Sequence, residues 1–311
     1  MRTLTRHLAV LGALVVVLAA CTSGASPSAP ATQQPTAVTS PSATASPTTA
    51  AATANPDDLL SKIKASGKLR ISTDAAYPPQ SELKNGTWEG FDVDVGTEIA
   101  KRLGVTAEFT AQDWTVITAG NWGGRWDISV GSMTITGERV KTFDFSPPYY
   151  YTPAQIAVSK KSGITDLDGL KGKTICAGEA TTYWEWLTGK TLDLGPGTIV
   201  TTKPPDGVKV VTRPTDRDCA NDWKAGRFDF EGWMSSSTTV EQAIKDGIEM
   251  VKVGDPQYFE PLCVAVDRNG PMHGEFMLAL NQVIFGMHAD HTLNDLSMKW
   301  FGLDLTAPIA P

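Results

Sequence analysis

From Asp58 to Gly302 the chain switches repeatedly between two hydrophobic periods. DLLSKIKASG places apolar residues at helical spacing and stops at Gly67, a short amphipathic helix. KLRISTD predicts a strand running into the loop AAYPPQ, and the turn KNGT followed by WEGF predicts a hairpin. VDVGTEIAKRLG predicts a helix closed by Gly104, VTAEFTA a strand, WTVITAGNWGGRW a helix with a glycine-rich end, and DISVGSMTI a strand. A second unit follows Tyr151. Its strands are QIAVSKKS, GKTICAG, VKVVTR, RFDFEGW, IEMVKVG and PLCVAV; its helices are TTYWEWLTG, TDRDCANDWKAG and TTVEQAIKDG. EFMLALNQVIFGMHAD and LNDLSMKWFG close the chain as two helices. Phe276, Leu280, Val283, Ile284 and Met287 form a stripe on the first, which reads as core. Strands alternating with helices over this length indicate an α/β fold with largely parallel sheets.

The N-terminal 56 residues follow neither period. MRTLTRH is a positively charged start, and LAVLGALVVVLAA is too short for a good permanent span. Leu18-Ala19-Ala20-Cys21 resembles a bacterial lipobox, so residues 1–20 are expected to be a lipoprotein signal peptide and Cys21 the lipidated first residue of the mature chain. Residues 21–56 are almost entirely Ser, Thr, Pro and Ala. They cannot bury a core and read as a disordered tether with a reach of about 30 Å. The folded part is therefore expected outside the cytoplasm, held to the membrane by lipid.

The whole chain, 311 residues at 41% hydrophobic and 20% charged, suits one or two soluble domains. Its formal charge of −7 becomes more negative once Arg2 and Arg6 leave with the signal, and no basic run appears, which argues against nucleic acid. Cys176, Cys219 and Cys263 allow three pairings with one thiol left over. Cys176–Cys219 is favoured because both lie in the second unit, while Cys263 sits in the apolar run PLCVAV. The cysteines have no metal-ligand spacing, and His288-x-x-His291 lacks a third ligand and reads as an exposed helix end. GKT at 172–174 is no phosphate loop, because Leu167 stands where that motif needs glycine; GNWGGRWD lacks the dinucleotide spacing. No metal or cofactor is expected.

SMTITGER, Ser132–Arg139, carries the most chemistry. If the strand ends at Thr136 and that hydroxyl caps a helical turn, Arg139 lies among unpartnered backbone N–H groups and could bind a carboxylate or phosphate. A surface pairing of Arg139 with Glu138 is the plain alternative.

STDAAYPP, WEGFDVDV, Trp114 opening a helix that ends GGRWD, MTITGER, FDFSPPYY, LKGKT, GRFD and the closing KWFG follow one another over about residues 60–304. In this order they resemble the bacterial extracellular solute-binding proteins of family 3, the polar amino-acid receptors of ABC importers. The resemblance implies a two-lobed, type II periplasmic-binding fold with a ligand cleft between the lobes. Lobe one would be 57–152 plus 265–311 and lobe two 156–258, with hinge crossovers near 151–157 and 258–264. It implies that Arg139 holds a ligand carboxylate, that Ser132 and Thr134 add backbone and hydroxyl contacts, and that Thr182, with Thr181, grips from the other lobe. Tyr77 and Trp114 would wall the side chain, and Asp74 would face its polar group.

Three departures matter. The aspartate expected five positions after Asp229, which pairs with the ligand's α-ammonium in the family, is Met234 here; the usual Phe after Pro-Pro is Gln80; the usual Gly before the threonines is Ala180. Losing that carboxylate removes roughly 1.5–3 kcal/mol, about ten- to a hundredfold in affinity. Glu231 or Asp74 would then take the ammonium, or Trp233 with Trp114 and Tyr77 would enclose a cation in a modified amino acid. The expected role is a non-enzymatic, monomeric receptor delivering an amino-acid-like solute to a separate ABC permease. The alternatives are a cyclohexadienyl-dehydratase-like enzyme, with Glu179 or Glu231 as acid, and a ligand sensor.

Overall fold

A computed structural model describes residues 55–190, 192–194, 199–200 and 202–307. The signal segment, Cys21 and nearly all of the tether lie outside the described residues. The first half comprises α1 (Leu59–Ser66), β1 (Lys68–Thr73), β2 (Ala76–Tyr77), β3 (Ser81–Lys84), β4 (Thr87–Glu89), α2 (Phe91–Arg102), β5 (Thr106–Ala111), α3 (Trp114–Thr118), β6 (Ile128–Thr134), β7 (Phe143–Phe145) and β8 (Tyr150–Ser159). The second comprises β9 (Thr174–Gly178), α4 (Thr182–Leu187), β10 (Ile199–Val200), β11 (Lys209–Arg213), α5 (Asp216–Lys224), β12 (Gly232–Ser236), α6 (Ser237–Lys245), β13 (Met250–Asp267), α7 (Gly274–Ala289) and α8 (Thr292–Phe301).

The sheet runs β11-β9-β12-β8-β13-β6-β1-β5. At one end β5, β1 and β6 are parallel, and at the other β11, β9 and β12 are parallel. Between them β8 and β13 run antiparallel to each other and to their outer neighbours. Parallel strands need helices on both faces, so each end builds its own core, and the two antiparallel strands pass from one to the other. Leu69, Ile71, Phe91, Ile99, Phe276 and Ile284 belong to one core, and Ile156, Ile175, Trp186, Met234 and Tyr258 to another. The molecule is thus two-lobed.

Where the strands cross, Pro153 lies opposite Phe259 and Pro261 opposite Tyr151. Each proline removes a ladder donor, so the strip joining the lobes is more weakly paired than the sheet on either side.

Three elements differ from the sequence expectation. α3 stops at Thr118, because Gly120, Gly123 and Gly124 have φ of +67°, +63° and +71° and continue as a loop. RFDFEGW is strand only from Gly232. IEMVKVG and PLCVAV are one 18-residue strand, β13, whose register shifts between Val253 and Tyr258. The hairpin turn is as expected, with Asn85 and Gly86 at positive φ between β3 and β4. The α7 stripe faces the core. A disulfide joins Cys176 on β9 to Cys219 on α5 with Cα atoms 5.9 Å apart, and Cys263 is free and buried. His288 is not an exposed end: it is half-buried, with Nε2 2.8 Å from the Pro148 carbonyl.

Candidate functional site

Strand β6 is buried along its whole length, so its C-terminal end delivers backbone into the space between the lobes. Beyond it, the Thr136 hydroxyl accepts the Arg139 N–H at 3.1 Å and closes a single 3-10 turn, Arg139–Lys141. The expected helix is only this three-residue turn, and its amides are not free. The Val140 N–H bonds the Thr136 carbonyl at 3.0 Å and the Lys141 N–H the Glu138 carbonyl at 3.1 Å, so the turn offers an anion the guanidinium and no unpartnered amides. The Arg139 guanidinium points into the cleft and not to Glu138, whose carboxylate pairs with Lys141. It donates to the Thr134 carbonyl at 3.0 Å and, across the cleft, to the Ala180 carbonyl at 2.9 Å. Its carbon lies 5.4 Å from the centre of the Trp114 ring, and Trp114 Nε1 donates to the same Ala180 carbonyl at 3.2 Å. Burial lowers the pKa of Arg139 from its ordinary value, while Glu185 and Glu260 oppose that shift.

The opposite wall is the loop from β9 to α4. Thr181 caps α4, accepting the Trp184 N–H at 3.2 Å. Ala180 has φ +57°, a left-handed conformation that accounts for glycine in the resembling proteins.

A cavity enclosed by these elements, about 460 Å³ with its mouth included, is lined by Asp74, Tyr77, Trp114, Ser132, Thr134, Arg139, Thr181 and Thr182. Gly131, Tyr183, Pro214, Thr215, Asp216 and Glu260 complete the lining.

Eight of the ten expected ligand residues therefore meet in one place; Trp233 and Glu231 do not. Trp233 is fully buried in the core behind β12, beside the disulfide, because successive strand residues face opposite ways. It can form no cage with Trp114 and Tyr77. Glu231 accepts the Thr174 N–H at 2.9 Å on a half-exposed edge and takes no part in the cavity. Glu179 is exposed, held by the Thr212 hydroxyl. Ser132 reaches the cavity, but its hydroxyl turns away to Asp92 (2.7 Å) and Tyr150 (2.6 Å). The Tyr77 hydroxyl donates to Ser236 at 3.1 Å across the cleft.

Two carboxylates that sequence reasoning missed lie in this cavity. Glu260, on β13, is 1% exposed; one of its oxygens accepts the Thr134 hydroxyl at 2.5 Å and the Thr182 hydroxyl at 2.8 Å, one from each lobe. Asp216, at the start of α5, accepts the Gly178 N–H at 2.7 Å and the Ser235 hydroxyl at 3.2 Å. A Cβ on Gly178 would come within 2.4 Å of that carboxylate, so only glycine fits there. Burial raises the pKa of Glu260, against its hydroxyl donors and Arg139. Burial pushes Asp216 up to about 8 and Asp74 up to about 6. Asp74 also caps its own loop, accepting the Ala76 N–H at 2.7 Å. Glu260 is the single acid in the run YFEPLCVAV, a signal that could have found it; Asp216 stands at a helix start, where an acid is ordinary and carries no such signal.

Gln80 bridges the lobes. Its amide nitrogen donates to Ser236 (3.1 Å) and Thr238 (2.7 Å), and its oxygen accepts the Thr239 hydroxyl at 3.1 Å. The hydroxyl-rich run SSSTT supplies partners that a phenyl ring could not use.

Two lobes joined by paired crossover strands, with one arginine in a cavity between them, define a two-lobed binding protein of the periplasmic type. The chain belongs to the bacterial extracellular solute-binding proteins, family 3, whose sequence profile matches residues 69–303. It is 30% identical over 253 residues to the L-cystine-binding protein TcyJ of Escherichia coli (strain K12), covering 80% of this chain and 88% of TcyJ. Among solved structures it is similar to the ancestral amino acid-binding protein AncCDT-1, a precursor of cyclohexadienyl dehydratase (30% identity, TM-score 0.65, 78% of this chain and 99% of that one). It is also similar to an ancestral arginine-binding protein bound to arginine (30%, TM-score 0.64, 76% and 99%). The relatives are amino-acid-binding components of ABC transporters, which supports a solute-binding role. Among the described residues no helix is long and apolar enough to cross a membrane.

Proposed function

We propose that this protein is a lipid-anchored, extracytoplasmic receptor that captures an amino acid or amino-acid-like carboxylate and delivers it to an ABC permease. The observation that carries the proposal is the Arg139 guanidinium, desolvated in the inter-lobe cavity and, among the described residues, bonded to two carbonyls with no carboxylate in ion-pair contact. A ligand carboxylate satisfies it with charge-assisted bonds. Trp114 and Tyr77 flank the ligand, Thr134 and Thr182 approach from opposite lobes, and Asp74 meets the side chain. The lobes are taken as 57–152 with 265–311, and 156–258. Closure on the ligand is then a hinge motion about the proline-weakened strip.

Calorimetry on the purified protein with a panel of amino acids tests this. Micromolar or tighter binding of at least one, lost on Arg139→Ala, is the expected result. Binding unaffected by that substitution, or no binding at all, defeats the reading. Anchoring is tested separately: Cys21→Ser should release the protein from membranes and abolish incorporation of a labelled fatty acid.

A second reading has one observation in its favour. Glu260 is a buried acid of raised pKa inside the cavity, as a dehydratase's proton donor would need to be. Turnover of prephenate or arogenate by the protein would support it; its absence leaves the receptor reading.

A further inference from the structure

We infer that the ligand is an amino acid carrying a second positive charge, and that Asp216, on helix α5, holds its α-ammonium group. This rests on the receptor reading above and narrows it to a substrate class.

Three carboxylates and a single basic side chain line the cavity. Arg139 is the cation, and the acid that acts on it most closely among the three is Glu260. Asp74 and Asp216 are in a different position. The charges that bear on Asp74 are Asp218 and Asp113, and those that bear on Asp216 are Glu260 and Asp74; all are negative. Neither forms an ion pair among the described residues, and each accepts only one backbone N–H, with one hydroxyl added at Asp216. Two such groups in a desolvated cavity call for cations from the occupant. A neutral zwitterion brings one carboxylate and one ammonium and leaves one of the two aspartates without a counter-charge. An amino acid with a cationic side chain brings one positive group for each.

Position assigns the groups. Arg139 and Asp216 touch the same short loop, Arg139 through the Ala180 carbonyl and Asp216 through the Gly178 N–H. The carboxylate and ammonium of one α-carbon are likewise neighbours. Asp74, on the loop that follows β1, lines the same cavity and is the acid left for the side-chain cation. The exchange on β12 fits. Met234 turns into the core of the second lobe, and the next residue, Ser235, passes its hydroxyl hydrogen to Asp216. A helix carboxylate thus serves where a strand carboxylate is missing.

The test uses the full chain purified in detergent and compares matched pairs differing in one charge: arginine with citrulline, lysine with norleucine. At least one cationic member should bind ten times or more tighter than its neutral partner. Asp216→Asn and, separately, Asp74→Asn should each lower that affinity tenfold or more. Calorimetry at pH 7.5 in buffers of different ionisation enthalpy supplies a readout that a merely structural role would not move. With Asp216 near 8 when free, binding of the cation should release protons, and Asp216→Asn should remove that release. If Asp216→Asn fails to fold, the proton count of the unmodified protein and the Asp74→Asn affinity decide. Equal binding within both pairs, or no proton release, overturns the inference. If neutral amino acids bind tightly in an Arg139-dependent way, the receptor reading survives and only the charge assignment falls; if no amino acid binds, both fall.

Discussion

Two buried aspartates, Asp92 in the first lobe and Asp216 in the second, show how one residue type serves different ends. Asp92 is fully buried and accepts two short hydroxyl bonds, from Ser132 and Tyr149, each at 2.7 Å. Ser132 borders the cavity but turns its hydroxyl away from it, and the ring of Tyr149 stacks on Phe91 in the core. Asp216 is equally desolvated but faces the cavity with a weaker set of donors. Burial raises both, Asp92 to about 7 and Asp216 to about 8. A buried acid that stays out of the cavity and is saturated by its neighbours is a structural group; one whose free side faces the cavity is positioned for a ligand.

The largest effect that could break this contrast is Arg139→Ala. It should cost at least a hundredfold in ligand affinity, about 3 kcal/mol, with little change in the melting temperature of the ligand-free protein. Asp92→Ala should do the reverse. It leaves the Ser132 and Tyr149 hydroxyls without their acceptor and should destabilise the fold by about 2–4 kcal/mol in denaturant titrations, while molecules that remain folded bind ligand nearly normally. Gln80→Leu comes next. Losing three inter-lobe hydrogen bonds should shift the ligand-free protein towards an open form by about 1–2 kcal/mol, visible as a larger radius of gyration in solution scattering.

The smallest and most diagnostic effect is on pH. For an acid whose folded pKa is raised, the folded state holds the extra proton between the unfolded and folded values. Stability is therefore fully present below about pH 4 and declines as pH rises through the folded value. Asp74, Asp92 and Asp216 all contribute in this sense, over a window from about 4 to about 8. Saturating cationic ligand should flatten the part belonging to Asp74 and Asp216 and leave the part belonging to Asp92. A decline that ligand leaves wholly unchanged would place all three in the structural class.

Local spacing was enough to recover most of the helices and strands, because helical and strand periods are imposed residue by residue along each element. Arg139 is legible in the segment SMTITGER itself, whereas Thr134, Thr182 and Trp114 are singled out only through the resemblance to the family. Trp233 and Glu231 were misjudged: their neighbourhood in the chain was right, but the pleat of β12 decides which way each faces, and its start at Gly232 could not be fixed from RFDFEGW alone.

The amino-acid order by itself determined the alternation of elements, the two-unit plan, the capped turn at Thr136 and the arginine that follows it. Only the tertiary structure decided which acids share a cavity with that arginine. Glu260 and Asp216 lie 121 and 77 residues beyond Arg139 along the chain. They reach the same cavity because β13 runs between the lobes and α5 begins at its edge. Local pattern follows from interactions within a few residues. The charge of a cavity is a sum over segments that only the crossing of distant strands brings together.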